Sequence, residues 1–359
     1  MHRLTTVGLA AAAIMALSAP IQAANSPYPL SPHISLSFDF KSVETEGQGS
    51  DQWPMTWHSD GHNYAAWGDG KGWNGGQTKY FLGITQVEGA LPRLSGTDVF
   101  GDNHSQNRKP RGLISYDNKL YMFWSSERKG WGTSTGAVST DNGKSWKFES
   151  QDTFRLDQDG IRATGILQFG KGYTDIPSNI DSRYVYVYFA DGYKTHKEKI
   201  YLGRATKSEI FNKSAYQFFN GLDDSDHPIW SSSLSKKVPV LDDPNGIEYH
   251  VTVSHNPGLN RYLLAKGHNT NELAVFESEN PWGPWYTVYY DKFLDTKWKF
   301  TYQFPTKYMY DNGRTCWMMW SGWPEHDNVN FIKATLTPKL GLKPQLTAPT
   351  NLKIEVLNK

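Results

Sequence analysis

The sequence is poor in cysteine and carries no excess of charge of either sign. Cys316 is the single cysteine, so no intrachain disulfide can form, and no Cys/His spacing typical of a zinc site is present. The 37 Lys and Arg residues balance 36 Asp and Glu residues, a net charge of +1. That balance excludes a polybasic arm for nucleic acid or for a membrane surface as the organising feature. Neither a phosphate-binding glycine loop nor a G-x-S-x-G nucleophile elbow occurs.

The sequence also lacks any sustained apolar repeat of helical period. Short runs that alternate apolar and polar residues recur instead, among 32 Gly and 19 Pro residues. The 14 Trp, 20 Tyr and 17 Phe residues exclude disorder for most of the chain. This composition predicts many short strands joined by turns.

Residues 1–23 predict a secretory signal peptide. His2 and Arg3 precede an apolar run at 9–19 and small residues near Ala23. No cysteine stands directly after this point, so we expect no lipid anchor, and we expect the protein to be secreted or periplasmic. Residues 24–338 are interpreted as one domain, expected to be a monomer, and 339–359 as a loosely attached polar tail.

A turn followed by a strand rich in Tyr and Trp occurs five times. Its equivalent residues are Tyr64, Tyr121, Tyr186, Tyr262 and Trp317. A short strand precedes and another follows each copy, and one such meander cannot bury both of its faces. The repeat therefore predicts an all-β fold, a five-bladed β-propeller. The alternating segment 33–40 is expected to pair with the last blade and close the ring.

Residues 139–146, STDNGKSW, fit the Asp-box pattern S-x-D-x-G-x-x-W of sialidase-type propellers. In this interpretation Asp141 caps a tight turn and Trp146 packs between blades. The motif marks the fold, and Asp141 is not interpreted as catalytic.

The first strands of the repeats begin near Gln52, Arg111, Thr164, Glu248 and Phe304, and residues at these points are expected to converge on one pocket. The candidate substrate-binding residues are aromatic, cationic or amide side chains, namely Trp53, Lys109, Arg111, Arg162, Tyr173, His255, Gln303 and Lys307. Tyr249, His250 and Tyr302 lie at similar positions. Such a set suits a polysaccharide or oligosaccharide.

Asp51 and Asp69 are the candidate catalytic residues. A hairpin centred between Asp60 and Gly61 would place Asp51 opposite Gly70 and Asp69 near the same open end. Two carboxyl groups are what glycoside hydrolysis requires, and aromatic neighbours favour an acid role for one of them. The alternative is that both aspartates cap strands and turns.

Five segments carry a family resemblance: 49–73, which includes WPMTWHSDGHNYAAWGDG, then 169–173 (FGKGY), 256–264 (NPGLNRYLL), 279–290 (ENPWGPWYTVYY) and 304–309 (FPTKYM). Together they resemble a secreted bacterial propeller family similar to the endo-D-arabinanases. The resemblance implies a five-bladed propeller that cleaves a glycan. It also implies that Asp51 and Asp69, which match the spacing of the arabinanase pair, are catalytic.

Two other functions stay open at this point. A polysaccharide lyase acting on a uronate-containing glycan would use His104, Tyr173 or His255 as base and Arg111 as the neutralising cation. A glycan-binding propeller without catalysis would use the aromatic residues of the same pocket.

We expect no catalytic metal or cofactor. A structural calcium ion at 157–160 or at Asp223, Asp224 and Asp226 is a weaker interpretation than solvated turns.

Overall fold

The computed structural model describes residues 26–47, 49–192, 199–268, 272–294, 300–325 and 327–339. The predicted signal peptide (1–23) and residues 340–359 of the predicted tail lie outside the described residues. In the part of the chain that is described, no helix has the length and apolar character needed to cross a membrane.

The chain forms five antiparallel sheets, which are the blades of a five-bladed β-propeller. The first strand, β1 (Ile34–Glu46), belongs to blade five. Blade one consists of β2 (Met55–Trp57), β3 (Asn63–Gly70), β4 (Tyr80–Ala90) and β5 (Arg93–Asp102). Blade two consists of β6 (Arg108–Tyr116), β7 (Lys119–Ser126), β8 (Thr133–Ser139) and β9 (Lys147–Arg155).

Blade three is the largest sheet and consists of β10 (Arg162–Ile166), β11 (Tyr184–Ala190), β12 (Lys199–Thr206), β13 (Gln217–Leu222), β14 (Pro228–Ser231) and β15 (Pro239–Asp242). Blade four consists of β16 (Glu248–Asn256), β17 (Arg261–His268), β18 (Glu272–Ser278) and β19 (Tyr286–Lys292). Blade five consists of β20 (Tyr302–Gln303), β21 (Met309–Tyr310), β22 (Thr315–Ser321), β23 (Val329–Pro338) and β1.

The helical segments are single turns. One is an α-helix, Leu156–Asp159, and the 3-10 turns include Glu127–Lys129, Lys171–Tyr173, Lys207–Glu209, Lys213–Ala215, Leu234–Lys236 and Thr306–Tyr308.

The repeat read from the sequence is confirmed. Its five equivalent aromatic residues all lie on the second strand of a blade, on β3, β7, β11, β17 and β22. Four of them are buried and Tyr121 is half-buried. The repeated aromatics therefore fill the contacts between neighbouring blades.

Closure of the ring by the N-terminal strand is also confirmed. β1 pairs antiparallel with β23, from Ile34 opposite Pro338 to Glu46 opposite Val329. The first and last strands of the domain thus share one sheet, so the propeller has no unpaired seam between its two chain ends.

Two local predictions differ from the structure. The segment 304–310 was expected to be the first strand of blade five, whereas the inner strand is Tyr302–Gln303 and Thr306–Tyr308 forms a 3-10 turn. Pro305 between them has no N–H for a strand ladder. In blade one, Asp51 forms a bridge with Gly68 rather than with Gly70, because Met55 pairs with Ala65 and shifts the expected register.

The Asp-box forms the turn that its pattern predicts. The Asp141 carboxylate accepts hydrogen bonds from the Ser145 backbone N–H (2.9 Å) and from the Ser139 hydroxyl (2.8 Å). These bonds and that from the Ser145 hydroxyl lower the pKa of Asp141. Trp146 packs against the cluster of apolar residues between blades one and two.

Cys316 is a free, buried thiol on β22, as the sequence predicts, and burial raises its pKa. We therefore expect a thiol-reactive maleimide to leave the native protein unlabelled and to label it fully once it is unfolded, since the thiolate is the reactive form. The measurement is mass spectrometry of both samples after a short exposure. Rapid labelling of the native protein would contradict this packing.

Candidate active site

The innermost strands of the blades, β2, β6, β10, β16 and β20, surround a narrow central channel. A parallel bridge links Gln168, just after β10, to Ser254 of β16. We call the end of the channel where these strands begin the mouth, and the opposite end the far end. Side chains lining the channel include those of Met55, Arg111, Thr164, His250 and Gln303.

Asp51 lies at the mouth just before β2. Its backbone N–H and C=O each form a 2.9 Å hydrogen bond with Gly68 of β3. A Cβ atom on Gly68 would lie only 2.6 Å from Asp51 Oδ1 and 2.6 Å from Lys109 Cδ. The side chains of Asp51 and Lys109 therefore occupy the space that the missing side chain of Gly68 leaves open.

Asp69 joins the same cluster through Lys109. Its Oδ1 lies 3.2 Å from Lys109 Nζ, and the Asp69 side chain is 39% exposed whereas that of Lys109 is 3% exposed. Asp51 is buried. The solvent-accessible Asp69 and the buried Asp51 thus lie beside the buried Lys109 ammonium.

Lys109 is held on several sides. Its Nζ donates a 3.0 Å hydrogen bond to the Phe81 carbonyl and another to Asn107 Oδ1. It also lies 5.3 Å from the Phe81 ring centroid and 5.9 Å from that of Trp131. Desolvation lowers the pKa of Lys109, and the negative charges of Asp69 and Asp51 act against this shift.

The backbone around the mouth is strained at several residues that are not glycine. Positive φ angles occur at Gln52 (78°), Trp53 (58°), Asp69 (47°), Trp131 (63°) and Tyr249 (39°). Such conformations cost about 1–3 kcal/mol each and are concentrated at functional sites. Ser321 Oγ holds the strained Gln52 by accepting its backbone N–H at 2.8 Å.

Two buried arginines extend the positive charge into the channel. Arg111 Nε donates to Ser125 Oγ at 2.5 Å, and its guanidinium carbon lies 5.7 Å from the Trp131 ring centroid. Arg162 Nε donates to the Gly192 carbonyl at 2.9 Å. With Lys109, three buried cations lie on the strand starts of blades two and three, as the sequence predicts.

Trp53 and Gln303 lie near the mouth but support it from within the protein. Trp53 is fully buried, and its ring packs edge-on against Trp73 at 5.9 Å. Gln303 Oε1 accepts the Met55 N–H (2.9 Å) and Gln303 Nε2 donates to the Met55 carbonyl (2.8 Å). Both side chains join blades five and one. This packing therefore does not expose them to a substrate at the mouth, contrary to what the sequence analysis expects.

Three predicted site residues lie at the far end of the channel. Tyr173 is buried, and its hydroxyl accepts the Tyr186 N–H at 3.3 Å. His255 lies next to the β16–β17 turn, and burial lowers its pKa to about 4. Lys307 interacts electrostatically with Asp60 in the β2–β3 turn. The structure therefore does not bring these three residues to the pocket that contains Asp51 and Asp69.

The residues of the alternative lyase site are separated. His104 is exposed on the loop between β5 and β6, where its Nδ1 accepts the Gln106 N–H at 3.3 Å. Tyr173 and His255 lie at the far end, and Arg111 lies in the channel. No base from this set stands beside the arginine that would neutralise a uronate.

The two acidic turns considered for calcium are occupied by other partners. Asp157 pairs with Arg155, Asp159 pairs with Lys213, and Asp223 accepts the N–H groups of Ser225 and His227 at 2.9 Å. Among the described residues, no group of three or more His, Cys, Asp or Glu side chains is arranged to hold a metal ion.

Sequence reasoning missed the residues that surround Lys109. Asn107 binds its ammonium, Trp131 lies over it, and the charge of Glu127 acts on it. Glu127 and Trp131 lie in the loop after β7, which the repeat places at the same end of the propeller as the start of β6. That shared end is the signal that would have identified them.

The sequence matches the family described as Domain of unknown function (DUF4185) over residues 83–310, more than half of the chain. A search of curated proteins gives no match. Among solved structures, the chain is similar to a GH43_1 enzyme from Xanthomonas citri complexed with xylotriose. That likeness has a TM-score of 0.50 and 12% identity, and covers 83% of this chain and 91% of that one.

An α-L-arabinofuranosidase from Podospora anserina in complex with cellotriose has a TM-score of 0.46 at 12% identity, over 86% of this chain and 99% of that one. The likeness to the GH43_1 enzyme shows a shared fold. The resemblance to endo-D-arabinanases stays a prediction.

A double-mutant cycle tests the packing of Asp51 over Gly68. We expect Gly68→Ala to destabilise the protein by about 1–3 kcal/mol, the usual cost of overpacking, because the new methyl group meets Asp51 and Lys109. In an Asp51→Ala background the penalty should fall by about 0.5 kcal/mol or more, since one of the two obstacles is gone. Denaturant unfolding of the four proteins measures this coupling.

Gly76→Ala is the control, because its nearest atom would be 3.5 Å away, an ordinary contact. Equal penalties for Gly68→Ala in both backgrounds would show that Asp51 does not lie over Gly68.

Proposed function

We propose that this chain, which belongs to the DUF4185 family, is an endo-acting glycoside hydrolase that cleaves a polysaccharide with Asp51 and Asp69 as its two carboxyl groups. The proposal depends most on one observation, the buried Lys109 ammonium that stands 3.2 Å from Asp69 and beside Asp51 at the mouth. Hydrolysis of a glycosidic bond requires a proton donor and a second carboxylate.

The charges and burial of this cluster suit one proton donor and one charged carboxylate. Burial disfavours a charged Asp51, whereas the Lys109 ammonium stands 3.2 Å from the Asp69 carboxylate. We assign the proton to the buried Asp51, which would donate it to the glycosidic oxygen as the bond to the anomeric carbon breaks. The more exposed Asp69 would deprotonate the attacking water or attack the anomeric carbon itself.

The cations and the open mouth support a polysaccharide as the substrate. Arg111 and Arg162 would bind hydroxyl or carboxylate groups of the glycan, since guanidinium groups donate several hydrogen bonds in a fixed geometry. The exposure of Asp69 favours attack within a chain over attack at a chain end in a closed pocket.

The shared fold supports the proposal only in a general way, since one propeller fold hosts many activities. The resemblance to endo-D-arabinanases makes D-arabinan the first polymer to test, followed by other neutral and anionic polysaccharides. We also propose that the reaction takes place outside the cytoplasm, after removal of residues 1–23, and that the protein acts as a monomer.

Removal of either carboxylate tests the proposal. We expect Asp51→Asn and Asp69→Asn each to lower kcat/KM on the cleaved polymer at least about 100-fold, because general acid–base catalysis contributes about 10²–10⁴-fold. Thermal melting should stay close to that of the unchanged protein. Asp117→Asn is the matched control, since Asp117 is an exposed turn residue at φ 50°, a conformation that asparagine adopts readily.

Product analysis completes this test. Reducing ends without the ultraviolet absorbance of an unsaturated uronate indicate hydrolysis, whereas both signals together indicate a lyase. If both Asn variants keep more than about a tenth of the rate, the loss is too small for acid–base catalysis and the carboxylate mechanism is wrong.

The role of Lys109 predicts a change in pH dependence. Lys109→Met removes the cation that stabilises the charged forms of nearby carboxyl groups, so the acidic limb of the kcat/KM profile should move to higher pH by about one unit or more. Profiles of both proteins in buffers of constant ionic strength measure the shift. An unchanged acidic limb would mean that Lys109 does not act on the catalytic carboxyl groups.

A further inference from the structure

A second concave site lies beside the mouth, on the outer part of blade one. It is a cavity of about 350 Å³, within the range of small-ligand pockets. Its lining combines the aromatic rings of Trp67, Tyr80 and Phe100 with the polar or charged side chains of Lys71, Gln77, Thr78 and Asp98. None of these residues belongs to the Asp51–Asp69 cluster.

Tyr80 gives this cavity an aromatic wall. One face of the Tyr80 ring lies on Gly101, where an added Cβ would be 2.7 Å from the ring. Trp67 lies beside it at a centroid distance of 6.4 Å, and Trp67 itself lies on Gly83. Because glycines support both rings, the half-buried Tyr80 keeps part of its surface open to the cavity.

The polar part of the lining comes from the segment that follows Asp69. The Gly76 N–H donates to the Lys71 carbonyl at 3.0 Å and closes a turn, and Lys71, Gln77 and Thr78 are exposed around it. Asp98 is fixed by the Trp73 N–H at 3.0 Å and by the Thr85 hydroxyl at 2.5 Å. Hydroxyl groups of a sugar would find both donors and acceptors here.

The cavity is close to the proposed catalytic site through residues of β3 and β4. Tyr80 pairs directly with Gly70, the residue after Asp69, and the next residue, Phe81, binds Lys109 through its carbonyl. A chain that leaves Asp69 toward the rim of blade one therefore reaches Tyr80 first.

We propose that this cavity is a carbohydrate subsite, in which Tyr80 stacks on a sugar unit of the polysaccharide beyond the units at the cleaved bond. Sugar rings present an apolar C–H face and a polar edge, which matches an aromatic wall with polar groups at its rim. This inference rests on the proposed function for the orientation of the chain, but binding at Tyr80 is measurable without cleavage.

The experiment measures binding to three polymers, D-arabinan, xylan and polygalacturonate, by affinity electrophoresis in an Asp51→Asn background that prevents turnover. For the polymer that binds, Tyr80→Ala should weaken retention about tenfold, which is about 1.4 kcal/mol. Tyr80→Phe should retain the polymer, because the stacking ring remains.

Tyr201→Ala is the matched control, since Tyr201 is a half-buried tyrosine on the third strand of blade three. If Tyr80→Ala fails to fold by thermal melting, Gln77→Ala and Thr78→Ala in the exposed turn should weaken retention instead.

Three outcomes separate the two proposals. Unchanged polymer retention in folded Tyr80→Ala overturns the subsite even if the unchanged protein cleaves the polymer. Weakened retention in a protein that never cleaves any polymer supports the subsite and overturns the proposed hydrolysis. Absence of binding to all three polymers overturns the subsite for these glycans.

Discussion

The pairing of β1 with β23 is the contact on which the rest of the structure depends. It closes the ring, and β1 ends at Glu46, only a few residues before Asp51. The backbone N–H groups of Gly49 and Ser50 both bond to the Asp327 carbonyl, which fixes this short connection to blade five. The strand that completes the propeller therefore also places Asp51 at the mouth, so ring closure and the geometry of the candidate site are one constraint.

Around that point, the fold accommodates unfavourable features at a few positions. An almost completely buried Lys109 is tolerated because a carboxylate and two oxygen acceptors surround its ammonium. Gly68 makes the approach possible, since any side chain there would collide with Asp51 and Lys109. Positive φ angles at Gln52 and Trp53 lie directly after Asp51 in the chain. Burial, missing side chains and backbone strain thus coincide where the two carboxyl groups meet.

Much of the fold could be predicted from the sequence because a propeller repeats one simple unit, so the aromatic residues and the closing segment 33–40 were visible as patterns. The site could be predicted less completely. A strand pattern does not show how deeply a residue is buried, so Trp53 is a candidate by pattern although it is buried. The register at Asp51 differs by two residues from the predicted one, which places Asp51 opposite Gly68. Tyr173 and His255 were grouped with the mouth because the sequence does not show at which end of a strand a side chain emerges.

The measurement that tests the central claim most directly is the fate of water oxygen during cleavage. Purified protein would be incubated with D-arabinan and the other polymers in water enriched in heavy oxygen, and the released chains analysed by mass spectrometry. The account predicts products with one heavy oxygen at each new reducing end, since hydrolysis adds water across the glycosidic bond. Unlabelled products with an unsaturated sugar at the new end would contradict it.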